Sequence, residues 1–179
     1  MESEGALSEI AGRAAEHKLP FLVGGGYAVI ANGFKRATFD LDLIISRADK
    51  PAWIEALQTL GYTLFSENAS FLQLTSNSEA LMPLDLMLVD PATFEKLSAD
   101  AQPMPIPQNA RAVSLLHLIA LKCHAFKFGH RGRIEKDIDD IIGLIKANNV
   151  DVRRPEVQTV ILKHGTPELY EKLCRSTTP

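Results

Sequence analysis

The chain has 179 residues, 46% hydrophobic and 23% charged, which is an ordinary globular balance with length for one well-packed core. A net charge of −3 excludes a strong global field toward nucleic acid or membrane and leaves room only for a local basic patch. Cys123 and Cys174 lack paired spacing, so neither a disulfide framework nor a zinc site is indicated, and no segment reaches the ~18 consecutive apolar residues of a membrane helix. The acidic opening MESEGALSEI does not read as a signal peptide, so a reducing, cytoplasmic setting is expected. In chain order, Ala6 to His17 is predicted as an amphipathic helix with Leu7, Ile10, Ala11 and Ala14 on one face. Phe21 to Val23 reads as a short buried strand. Gly24, Gly25 and Gly26 follow, and Tyr27 to Asn32 is helical, closed by Gly33. Thr38 to Ser46 is a strand. Lys50 to Leu60 is a helix with Trp53, Ile54 and Leu57 inward, and Tyr62 to Phe65 and Ser70 to Thr75 are paired strands. Leu84 to Val89 is a further strand. Pro103, Pro105 and Pro107 then forbid regular helix, marking a linker or an extended edge. Helices follow at Val113 to Phe128, Ile134 to Asn148, Val157 to His164 and Pro167 to Cys174. The pattern is α/β first and helical second, with an expected α/β core over 1–100 and a helical part over 109–179 packed on it.

Two aspartates interrupt an apolar strand. Side chains alternate along a strand, so Arg36, Thr38, Asp40 and Asp42 share one face if the chain is already extended at Arg36, and Phe39, Leu41, Leu43 and Ile45 share the other. Asp40 and Asp42 then lie ~6.6 Å apart along the strand, near enough for one divalent cation to relieve their repulsion. In PLDLMLVD, Asp85 breaks the second strand in the same way, with Leu84, Leu86 and Leu88 on its other face. If the two strands pair, three carboxylates converge on one sheet face and could hold two magnesium ions through oxygen ligands. Such a site suits phosphoryl-type chemistry, with Asp85 placed to accept a hydroxyl proton. The glycines between strand and helix would let backbone approach a phosphate closely.

Gly-Gly-Tyr, a short helix ending at Gly33, then Arg36, Thr38 and Asp40-Leu41-Asp42 resembles the signature of the nucleotidyltransferase superfamily. The likeness is greatest to the bacterial branch of AbiEii-type toxins and small nucleotidyltransferases, and covers about residues 20–146. It implies a small mixed sheet flanked by helices, with a helical C-terminal part. It also implies transfer of an NMP unit from an NTP to a hydroxyl acceptor, with Mg²⁺ held by Asp40, Asp42 and Asp85 and nucleotide contacts from Gly25, Gly26, Arg36 and Thr38. The stretch LIALKCHAFKFGHRGRIEKDIDDI resembles the toxin-like branch, which adds Lys122, Lys136 and Asp137 beside the nucleotide. The family often carries Arg where Lys136 stands, and a single ammonium cannot reproduce a bidentate clamp.

Each residue also has a plainer reading. The aspartates would then be a solvated strand face and the glycines a plain turn. Arg36 would merely neutralise Asp40 or cap the sheet, Lys122 would reach the surface, and Asp137 would only pair with Lys122. In the helix from Ile134 the apolar stripe is Ile134, Ile138, Ile141, Ile142 and Ile145, with Asp137 at its edge and Asp139 and Asp140 well away from it. His130, Arg131 and Arg133 form a basic loop that would contact an RNA or nucleotide acceptor or simply lie in solvent. Tyr27 would stack on a base or pack in the core. Two other functions stay open. One is a nucleotide-binding or regulatory module, such as a toxin–antitoxin component acting with a partner protein. The other is a metal-dependent phosphohydrolase, whose usual His-Asp pairing is absent.

Overall fold

A computed structural model describes residues 2–78, 80–129 and 134–177, with side chains from Gly5 onward. The basic loop residues His130, Arg131 and Arg133 lie outside the described residues. The chain forms two compact units: one comprises the chain up to Val113 except Asn32–Lys35, and the other comprises Asn32–Lys35 and the chain from Ser114 onward.

The first unit holds a mixed seven-stranded sheet in the order β3-β4-β5-β2-β1-β7-β6. Its strands are β1 (Leu22–Val23), β2 (Leu41–Ser46), β3 (Tyr62–Glu67), β4 (Phe71–Ser76), β5 (Leu84–Val89), β6 (Gln102–Pro103) and β7 (Arg111–Ala112). Its helices are α1 (Glu2–His17), α2 (Gly25–Ala31), α3 (Lys50–Thr59) and α4 (Pro91–Ala99). β2 is central, parallel to β5 and antiparallel to β1. Leu43, Ile44 and Ile45 are all buried there, as expected of a strand covered on both faces. β5 keeps its alternation, with Leu84, Leu86 and Leu88 buried and Asp85, Met87 and Val89 half-buried. α1 buries Leu7, Ile10, Ala11 and Ala14, the face its spacing predicts, and Trp53 of α3 meets Phe21 edge-on at 5.7 Å between ring centres.

Two features differ from the sequence reading. The predicted strand from Thr38 begins only at Leu41, because the Thr38 hydroxyl donates to Asp40 Oδ1 at 2.8 Å and holds that approach in a local turn. Phe39 is therefore outside the apolar face and 82% exposed. Helix α4 is an element beyond those the sequence patterns predict, although its signal is present: Asp90 caps the Thr93 amide at 3.0 Å and Pro91 follows at the first turn. The proline segment contributes an extended edge, since Pro103 lies in β6 and lends no donor to the ladder.

The second unit holds α5 (Leu115–Phe128), α6 (Ile134–Ala147), α7 (Pro155–His164) and α8 (Pro167–Ser176). α6 packs Gly143 against the ring of Phe34, where an added Cβ would lie 2.6 Å from Cγ. α5 is less enclosed than its apolar composition suggests. Leu118, Ile119 and Cys123 are buried, but Phe128 at the end of the helix is 67% exposed. Cys123 and Cys174 form no disulfide, and burial pushes the Cys123 thiol up to about 12.

Candidate active site

Asp42 and Asp85 are direct partners in the parallel β2–β5 pairing. Parallel register sends partner side chains to the same sheet face, with strands ~4.8 Å apart. Like charges placed opposite one another on a sheet repel, and a cation between them would relieve that repulsion. Leu41 N donates to Pro83 O at 2.9 Å, which extends the pairing one step toward Asp40. Asp40 itself precedes the strand and accepts from Thr38. The chain thus draws two of the three predicted carboxylates into register, while the third accepts from the Thr38 hydroxyl ahead of the strand. Among the described residues, no group of three or more His, Cys, Asp or Glu side chains is placed to hold a metal ion, so the predicted trio is not assembled. The donor chemistry still fits a hard divalent cation, because the donors are carboxylate oxygens.

The glycines make the sharpest geometric statement. Gly24 continues the sheet, with its N–H donating to Asp42 O at 2.8 Å, and a side chain there would make only ordinary contacts from 3.5 Å. Gly25 and Gly26 lie inside the first turn of α2 instead of ahead of it, because the helix begins two residues earlier than Tyr27. Gly25 has φ +50°, and an added Cβ would overlap the Asp42 carboxylate and lie 2.6 Å from Asp42 Cβ. A Cβ on Gly26 would overlap the Thr38 hydroxyl, lie 2.6 Å from Thr38 Cβ and 3.1 Å from Arg36 Nη1. The predicted residues Gly25, Gly26, Arg36, Thr38 and Asp42 therefore meet at one place. Arg36 also donates to Ala37 O at 2.7 Å. Tyr27 is half-buried, with its hydroxyl on Met82 Sδ at 3.3 Å.

Beyond Asp85, Gln73 of β4 is its antiparallel partner and donates from Nε2 to Asp85 Oδ1 at 3.3 Å. The alternation Phe71, Gln73, Thr75 could have shown that Gln73 faces outward, but not which residue it would meet.

Lys122 and Asp137 belong to the second unit. Lys122 Nζ pairs with Asp137 Oδ1 at 2.9 Å and with Asp140 Oδ2 at 2.7 Å, and all three side chains are at most 12% exposed. Lys122 therefore does not reach the surface. Asp140 corrects the sequence reading, which set it well away from the apolar stripe of α6: it is 1% exposed. Its spacing three residues after Asp137 places both on one helix face, and the ammonium opposite makes that burial tolerable. Lys136 is exposed. Replacing Lys122 with Met would strand two buried carboxylates, so Lys122→Met should lower the unfolding free energy by about 3 kcal/mol in urea titration. A change under about 0.5 kcal/mol would show that the pair adds nothing.

No protein-family profile matches the sequence, and no curated protein is significantly similar to it. Solved structures do match. ANT(2″)-Ia in complex with adenylyl-2″-tobramycin aligns with a TM-score of 0.70 and 16% identity, over 92% of this chain and 97% of that one. The lincosamide antibiotic adenylyltransferase LnuA, bound to lincomycin, aligns at 0.57 with 18% identity, over 80% of this chain and 96% of that one. The Megavirus polyadenylate synthase aligns at 0.52 with 13% identity, over 79% of this chain and 31% of that one. At these identities the likeness is one of fold, and the fold is that of the nucleotidyltransferases, a mixed sheet flanked by helices with a helical C-terminal part. Among the described residues no helix is long and apolar enough to cross a membrane.

Proposed function

We propose that the protein is a Mg²⁺-dependent nucleotidyltransferase that transfers an NMP unit from an NTP to a hydroxyl acceptor, in a cytoplasmic setting. The observation that carries this reading is the in-register pair Asp42–Asp85, with Gly25 held so close to Asp42 that no side chain fits between them. The α/β unit is the transferase core and the helical unit its appendage. Asp42 and Asp85, with Asp40 once it turns from Thr38, would hold the metal. Bound Mg²⁺ would neutralise the NTP phosphates and stabilise the charge that builds on the transferring phosphoryl group.

The chain's own groups do the rest. Gly25 and Gly26 let the triphosphate lie against backbone, and Arg36 and Thr38 flank it. Asp85 accepts the proton of the acceptor hydroxyl as its oxygen bonds to the α-phosphorus. The α–β phosphoanhydride bond breaks and pyrophosphate leaves. Lys122 and Asp137 enter as nucleotide contacts through the sequence resemblance alone. One fold neighbour is bound to adenylyl-2″-tobramycin, one is a lincosamide antibiotic adenylyltransferase and one is a polyadenylate synthase, so a small hydroxylated molecule and a polynucleotide end are the acceptor classes to try first, with ATP as donor.

The test is incubation with each α-labelled NTP, Mg²⁺ and cell extract, beside Asp42→Ala. Label on an acceptor with the parent protein alone is the expected result. Equal labelling by both proteins, or release of phosphate without labelling, would overturn the proposal, the latter in favour of a phosphohydrolase. The likeness of the stretch around Lys122 to AbiEii-type toxins favours one further reading, a toxin–antitoxin component. That reading expects a partner protein to co-purify and no label on any acceptor.

A further inference from the structure

We infer that Gln73 is a positioning residue that fixes the rotation of the Asp85 carboxylate toward the metal, a role that rests on the proposed metal site. Across three strands, Asp42, Asp85 and Gln73 stand in one register: Asp42 opposite Asp85, and Asp85 opposite Gln73. The acidic row is bounded on the Asp42 side by Gly25, which leaves no room for a side chain. On the Asp85 side it is bounded by the Gln73 amide, which donates to Oδ1 at 3.3 Å. That contact is at the long end of the hydrogen-bond range, so its value is directional more than energetic.

The chemistry of position 73 is restrictive. A Lys or Arg there would neutralise Asp85 and compete with a cation. A Glu or Asp would add a third like charge to a row that already repels itself. An aliphatic residue would remove this donor from the carboxylate. A neutral N–H donor alone orients the oxygen while leaving its charge for the metal, which is the service outer partners give ligating carboxylates elsewhere.

Mn²⁺ alone is the probe, titrated into the full chain and followed by electron paramagnetic resonance of the unbound ion. Gln73→Met keeps the side chain's length and removes the donor. Thr75→Val alters the neighbouring outward position of β4 and serves as the control. The expected result is Mn²⁺ affinity about tenfold weaker in Gln73→Met, at the lower end of the roughly 10–100-fold seen on loss of such partners. Thr75→Val should match the parent, and the melting temperature of the metal-free protein should be the same in all three. Equal affinity in Gln73→Met and parent, or equal weakening in Thr75→Val, would overturn the role of Gln73 and leave the metal site standing. A parent protein that binds no Mn²⁺ would overturn both together.

Discussion

Asp42→Asn is expected to abolish nucleotidyl transfer, by at least about 10³-fold in kcat, while leaving the metal-free protein as stable as the parent or more so. The loss exceeds the roughly 10–100-fold of an outer partner because Asp42 itself would hold the ion. The stability half of the prediction comes from the sheet. Asp42 lies directly opposite Asp85 on β5, and like charges directly opposite one another destabilise a sheet. Asparagine keeps the shape and removes the charge. Adding Mg²⁺ should then raise the melting temperature of the parent and not of Asp42→Asn, because a ligand stabilises only the form that binds it. Kinetics with a labelled donor and thermal unfolding with and without Mg²⁺ check both halves. An active Asp42→Asn enzyme, or one stabilised by Mg²⁺ as strongly as the parent, would contradict the role given to Asp42.

Gly25→Ala should be as damaging to activity, at more than about 100-fold, and should also destabilise the fold by about 4 kcal/mol. Two costs add. The backbone at φ +50° is left-handed, a conformation that costs any residue with a Cβ roughly 1–2 kcal/mol. The added methyl also meets the Asp42 side chain, and rotation of Asp42 cannot clear it, because the Asp42 Cβ itself would be 2.6 Å away and is fixed to the backbone of β2. Helix α2 must move off the strand, which carries the further ~1–3 kcal/mol of overpacking. The displaced Asp42 would no longer face its partner correctly, so stability and turnover fall together. Gly24→Ala is the internal comparison: its Cβ would meet Ile44 at 3.5 Å, an ordinary contact, and its effect should be small. Urea unfolding of the two variants separates these expectations. Equal tolerance of alanine at both positions would remove the tight approach of Gly25 to Asp42 as a structural requirement.

The parts of the molecule written as local patterns were readable from the sequence. The apolar face of α1 and the alternation of β5 each follow from spacing. The candidate site was readable as residue types on strands, since an aspartate inside an apolar strand needs an explanation wherever it occurs. Register was not. That Asp42 meets Asp85, and Asp85 meets Gln73, depends on which strands become neighbours, and β2 and β5 are brought together across two intervening strands and a helix. The two-residue strands β6 and β7 are too short to carry any period. Helical spacing sets Asp140 far from the apolar stripe of α6 and carries no sign that it is buried. The ammonium that makes its burial tolerable lies on another helix, 18 residues earlier, counting from Lys122 to Asp140.

The claim on which the functional reading stands is that the carboxylates of Asp42 and Asp85 share divalent cations beside Gly25. Crystals grown with Mn²⁺ and a non-hydrolysable NTP analogue, with an anomalous difference map, test it most directly. The account predicts anomalous density within coordination distance of both carboxylates, with the triphosphate against Gly25 and Gly26. Mn²⁺ bound elsewhere, or nucleotide bound with neither carboxylate touching a metal, would contradict it.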